Sequence, residues 1–133
     1  MAFELIHHTA DVRLRVTADT LENLFRDAVR GMYAVMRGEG GSAAVRRVIA
    51  VDESADTTSL LVDFLNEVLN RAQIGREIFE EIRFTRFEAL SLTAELTGTA
   101  PAEFEEDVKA VTYHEADVRH ENGGWTTMLV FDL

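Results

Sequence analysis

Apolar and polar positions alternate at both ends of the chain and follow helical spacing between them. Phe3 and Leu5, then Val12, Leu14 and Val16, alternate with polar neighbours. This predicts two short strands that meet at a polar break, Ile6-His7-His8-Thr9-Ala10-Asp11-Val12. Thr9 and Asp11 suit a turn there, because their side chains bond nearby backbone groups. Leu21, Leu24, Phe25, Ala28, Val29, Met32, Val35 and Met36 follow helical spacing. They predict an amphipathic helix of about five turns, ending near Gly38, with Asp19 as its cap and Glu22 answering three residues later. Gly38-Glu39-Gly40-Gly41-Ser42 reads as a flexible loop; it lacks the lysine and the spacing of a phosphate loop. Val45 to Val51 reads as an edge strand, and Asp52 to Asp56 as a polar turn into a second helix. That helix carries Leu60, Leu61, Phe64, Leu65, Val68, Leu69 and Ala72 as a stripe, with Gly75 as a left-handed stop. Asp63, Asn66, Glu67, Asn70 and Arg71 fall on its polar face, expected to be solvated.

The second half reads mostly as strands. Ile82 and Phe84 alternate with Arg83 and Thr85, Glu88-Ala89 suits a turn, and Leu90, Leu92, Ala94 and Leu96 share a face, which predicts a hairpin. Gly98 to Asp107, with the one proline and an acidic cluster, reads as a surface loop. Val108 to Val118 alternates as a strand, with Ala110, Thr112 and His114 on one face and Lys109, Val111 and Tyr113 on the other. Asn122-Gly123 marks a tight hairpin turn before a last strand, Trp125 to Asp132. Two one-sided helices and several antiparallel strands define an α+β domain, with both helices laid on one face of a mainly antiparallel sheet.

Composition narrows the class. At 133 residues the chain is sized for one domain with a sizeable core, residues 1–133. No apolar run is long enough for a membrane span, and no secretory signal is visible. Zero cysteines exclude disulfides, thiolate metal sites and thiol catalysis, and fit a cytoplasmic protein. A net charge of −11 repels phosphates, so direct nucleic-acid binding is not expected as the main activity. The same charge suits a metal ion or a basic patch on a protein partner. Lys109 is the one lysine beside twelve arginines. An ammonium does not replace a guanidinium fork, so the position hints at a need for lysine.

Candidate chemistry gathers at the two ends. Val130-Phe131-Asp132-Leu133 places a carboxylate beside the α-carboxylate, and two adjacent negative charges repel. If the end frays into solvent the cost is small. If it is tied into a sheet, a cation answers the charge, and Asp11 would complete an oxygen-donor set for Ca²⁺ or Mg²⁺. Zn²⁺ with His8 or His114 is an alternative, although those histidines are not at ligand spacing to each other. His7 and His8 are adjacent, so on a strand they face opposite ways. No Ser-His-Asp or paired-carboxylate catalytic spacing is present.

Three stretches together, His7-His8-Thr9-Ala10-Asp11, Lys109-Ala110-Val111-Thr112-Tyr113-His114 and the terminal Val130-Phe131-Asp132-Leu133, resemble the archease family in order, separation and total length. The helices with Leu24-Phe25 and with Phe64-Leu65-Asn66-Glu67 are similar to its two helices, so the resemblance covers essentially the whole chain. It implies an α+β, archease-like fold. It also implies an accessory protein of a GTP-dependent RNA ligase in tRNA splicing and RNA repair. Such a protein promotes guanylylation of the ligase and sustains its turnover, without being an enzyme itself. The resemblance further implies a divalent metal ion, Ca²⁺ first with Mg²⁺, Mn²⁺ or Zn²⁺ as alternatives, held by Asp11, Asp132 and the carboxylate of Leu133. His8, Lys109 and His114 lie in matching motifs as supporting or ligase-contacting residues. Arg13 departs from the small residue frequent there in the family, which alters the surface beside the metal. Two rival readings of the same residues are a metal-dependent phosphoesterase and a general protein chaperone. The first lacks an assignable general base, and the second lacks a large exposed apolar stretch.

Overall fold

A computed structural model describes residues 2–7 and 11–133, the side chains of residues 6 and 7 excepted. Strands β1 (Ala2–His7) and β2 (Asp11–Ala18) form the expected pair. Strand β10 (Gly124–Asp132) lies on the other side of β2, and β8 (Ala110–Thr112) follows it, giving the order β1-β2-β10-β8. Strand β9 (Arg119–Glu121) joins β10 through the Asn122-Gly123 turn. Both turn residues have positive φ, 52° and 77°, as a primed hairpin turn requires. A second sheet has the order β4-β6-β5, from β4 (Ala43–Val51), β5 (Ile78–Phe87) and β6 (Leu92–Ala100). Every pairing among the described residues is antiparallel.

Helices α1 (Leu21–Met36) and α2 (Thr57–Gly75) each touch a strand of both sheets: α1 meets β2 and β5, and α2 meets β4 and β8. The α+β class and the two helices are therefore as the patterning predicts, while the single expected sheet divides into two larger sheets and a two-stranded ribbon. The core they share includes Leu14, Val16, Phe25, Met32, Phe64, Leu65, Leu92, Leu96, Leu129 and Phe131, all without solvent exposure. Gly31 lets α1 lie close against the first sheet, since a Cβ there would run into the Leu14 side chain.

Local details depart from the patterning, each for a physical reason. Thr20, not Asp19, caps α1: its hydroxyl accepts from the Asn23 amide at 3.1 Å, while Asp19 bonds the Asn23 side chain. The left-handed residue ending α2 is Arg76 (φ 53°), not Gly75. Arg76 is held there because its Nε donates to the Ala102 carbonyl at 2.9 Å and its own carbonyl accepts from Ala102 N–H at 2.6 Å. The Gly38–Ser42 stretch is not all loop: β3 (Gly38–Glu39) pairs with β7 (Glu103–Phe104), and Phe104 stacks on Tyr33 with centroids 6.2 Å apart. The same pairing turns part of the supposed acidic loop inward, burying Ala102. Bulges in β5 at Phe79/Glu81 and Phe84/Arg86 shift its alternation and let Phe84 and Phe87 both reach Phe25. Leu90 stays in the turn, exposed. The expected strand from Val108 to Val118 shortens to three residues.

Candidate functional site

The end of β10 does not fray. In β2, Val12, Leu14 and Val16 turn to the core, so Asp11, Arg13 and Arg15 lie on the opposite face. In β10, Leu129 and Phe131 are buried likewise, leaving Asp132 on that same outer face. The register places Asp132 directly opposite Asp11 on one side and Ala110 on the other. Directly opposed residues hold their Cβ atoms about 4.5–5.5 Å apart, and two like charges so placed destabilise a sheet. Asp132 is exposed and Asp11 half-buried, with one Asp11 carboxylate oxygen, Oδ1, fully enclosed and without a hydrogen-bond partner among the described residues. A buried carboxylate oxygen without a donor needs a positive partner. Carboxylate oxygens are the hard donors that a divalent cation takes at about 2.3–2.6 Å, so the residue types at these two positions fit one. Among the described residues, no three His, Asp or Glu side chains converge on one point.

The other candidates fall at different distances from this pair. Leu133 is half-buried against the core and lines a cavity of about 180 Å³ with Leu5, Val12, Ala34, Val35, Arg37 and Glu106. Lys109 is exposed, and its backbone N–H donates to the Asp132 carbonyl at 2.8 Å, so the lone lysine sits one residue before the strand that flanks the carboxylate pair. His114 is exposed beyond the end of β8, its imidazole 4.0 Å from Glu115. Glu115 in turn accepts from Arg13 at 3.0 Å. Arg13 therefore ties the turn after β8 to the face that carries Asp11. His8 lies outside the described residues.

Sequence reasoning missed the role of the α2 polar face. Asn66 accepts from the Val111 N–H at 3.0 Å and donates to the Val111 carbonyl at 2.9 Å. Asp63 accepts from Ser54 at 2.9 Å and from the Tyr113 hydroxyl. That bond holds the Tyr113 proton on, raising its pKa, with desolvation adding to the effect. Gln73 donates to the Val108 carbonyl at 2.8 Å, and the Thr58 hydroxyl accepts from Val118 N–H at 2.9 Å. The available signal was the seven-residue spacing of Asn66 and Gln73 at the border of the apolar stripe.

An α+β domain with a carboxylate pair at the tied-in end of its last strand is the class that fold and site define. The sequence matches the model of the Archease protein family (MTH1598/TM1083) over residues 3–133. It is 33% identical to protein archease of Methanopyrus kandleri, covering 100% of both chains, and 31% identical to that of Methanosarcina mazei, covering 98% and 95%. The fold matches the solution structure of Methanobacterium thermoautotrophicum protein 1598 with a TM-score of 0.72 at 27% identity, covering 98% of each chain. It also matches an archease of Thermotoga maritima, described as a possible chaperone, with a TM-score of 0.71 at 20% identity, covering 96% and 94%. The chain belongs to the archease family.

Proposed function

We propose that this protein is an accessory factor of a GTP-dependent RNA ligase in tRNA splicing and RNA repair, and that it promotes ligase guanylylation and repeated turnover through a divalent cation. Family membership supports the ligase partner. The observation that carries the site is the direct opposition of Asp11 and Asp132, with Asp11 Oδ1 enclosed and unpartnered among the described residues. Both side chains offer hard oxygen donors, and the carboxylate of Leu133 is the third donor in this reading. Calcium or magnesium suits such a set, with calcium first because it tolerates irregular geometry. Asp11 and Asp132 would hold the cation, which would supply positive charge between the opposed carboxylates and Lewis acidity toward an oxygen group of the partner. Lys109, whose backbone N–H bonds the Asp132 carbonyl, is in this reading the cation for an acidic or phosphate group of the ligase complex. His114 and Glu115 lie farther along the same edge and suit ligase contact better than metal ligation. No described helix is long and apolar enough to cross a membrane.

The test is to follow guanylylation of the host ligase over several turnovers with GTP, divalent cation and substoichiometric amounts of this protein. Stimulation by catalytic amounts is expected, and its absence sinks the accessory reading. Phosphoesterase activity of the purified protein alone would favour the enzyme instead. Residues appended after Leu133 should weaken cation binding, and an unchanged affinity would remove the terminal carboxylate from the donor set.

A further inference from the structure

Segment 108–118 carries Lys109 and His114, yet only three of its residues form a strand. A three-residue outer strand with one neighbour is held weakly by its ladder alone. Its other side is held by α2. Thr58, Asp63, Asn66 and Gln73 bond Val118, Tyr113, Val111 and Val108 respectively, along the length of the helix. Asn66 is unlike the other three. It takes both backbone polar groups of Val111, N–H and C=O, as a neighbouring strand would, and its Nδ2 also donates to the Val62 carbonyl at 3.1 Å, which fixes the amide against its own helix. Val111 is paired with Phe131, one residue before Asp132, and the Lys109 amide grips the Asp132 carbonyl. Asn66 thus bonds a residue that lies two positions after Lys109 and one strand from Asp132.

We propose that Asn66 is a positioning residue of the site: by standing in for a missing strand it fixes β8 against β10, and so sets the backbone that holds Asp132 opposite Asp11 and presents Lys109. It touches neither the carboxylates nor any ligand of theirs. Its effect on cation binding rests on the function proposed above; its effect on the Lys109–Asp132 contact does not.

The experiment separates the two. Backbone amide exchange is measured by NMR in the whole protein, for the native chain, Asn66→Ala, Asn66→Asp and Thr58→Val. Thr58→Val removes a bond of the same kind at the far end of the helix and reports general loosening. Exchange of the Lys109 amide is expected to quicken by about 10-fold or more in Asn66→Ala, because local opening then exposes it, and to stay near the native rate in Thr58→Val. Asn66→Asp keeps the acceptor for Val111 N–H and loses the donor, so it should fall between, and it carries the test if Asn66→Ala does not fold. A Lys109 amide that exchanges at the native rate in the Asn66 variants, or equally fast in Thr58→Val, overturns the proposal. Calcium titration of the same proteins adds the second arm. Asn66→Ala should bind about 10-fold more weakly, as loss of ligand-orienting contacts does, with Thr58→Val unchanged. A native chain that binds no divalent cation would defeat the metal reading and leave the amide result to decide on Asn66.

Discussion

At the residue scale, opposed charge makes a prediction of opposite signs. Asp11 and Asp132 repel when no cation is present and are bridged when one is. Asp11→Asn should raise the melting temperature in chelator and lower it, relative to the native chain, in millimolar calcium. Differential scanning calorimetry in both buffers checks this; a shift of the same sign in both would mean that the pair holds no cation. Tyr33 gives a pH dependence. Burial raises its hydroxyl pKa well above the usual 10.0, and its O–H donates to the Glu77 carbonyl at 3.1 Å. Above that pH an unfolded chain loses the proton while the folded one keeps it. The stabilising contribution is therefore complete below pH 10 and is lost as pH rises, with a slope of at most about 1.4 kcal/mol per pH unit. Tyr33→Phe should flatten the alkaline limb of the stability curve. An unchanged limb would assign it to other groups, such as the exposed Tyr113.

At the element scale, helix ends and helix packing are separable. Thr20→Ala removes the acceptor for the Asn23 amide and should cost about 1 kcal/mol in urea unfolding. Gly31→Ala should also destabilise, since overpacking against fully buried Leu14 costs about 1–3 kcal/mol and outweighs a helix-propensity gain of about 1 kcal/mol. A stabilised Gly31→Ala protein would show that α1 shifts freely on β2. Both helices, the β5–β6 hairpin, the Asn122-Gly123 turn and the last strand were legible, because their apolar periodicity is what buries them. The α1 cap was not, because Asp19 and Thr20 both suit a cap and only the helix register chooses between them. The β3–β7 ribbon was not, because two residues carry no periodicity. The strand from Val108 to Val118 read too long, because alternation persists where the chain bonds α2 instead of β10.

At the scale of the whole molecule, the first sheet joins the two ends of the chain. Asp11 was readable as a turn residue while its neighbourhood in sequence was all that was known; the register with β10 gives it Asp132 as neighbour instead. The polar face of α2 was read as solvated because its partners, Val108 to Val118, are 35 to 60 residues away in sequence. The net charge of −11 belongs to this scale too. The ligase docking proposed above should be steered by this charge, so raising the salt should slow association more than it speeds dissociation. Stopped-flow or surface-binding kinetics would show this, and a salt-independent association rate would point to an apolar interface.

The central claim, that Asp11 and Asp132 share one divalent cation, is tested most directly by calorimetric titration of calcium into the native chain, Asp11→Asn and Asp132→Asn. One ion per native chain, with binding lost in both variants, is the result predicted. Native affinity retained in either variant would contradict it.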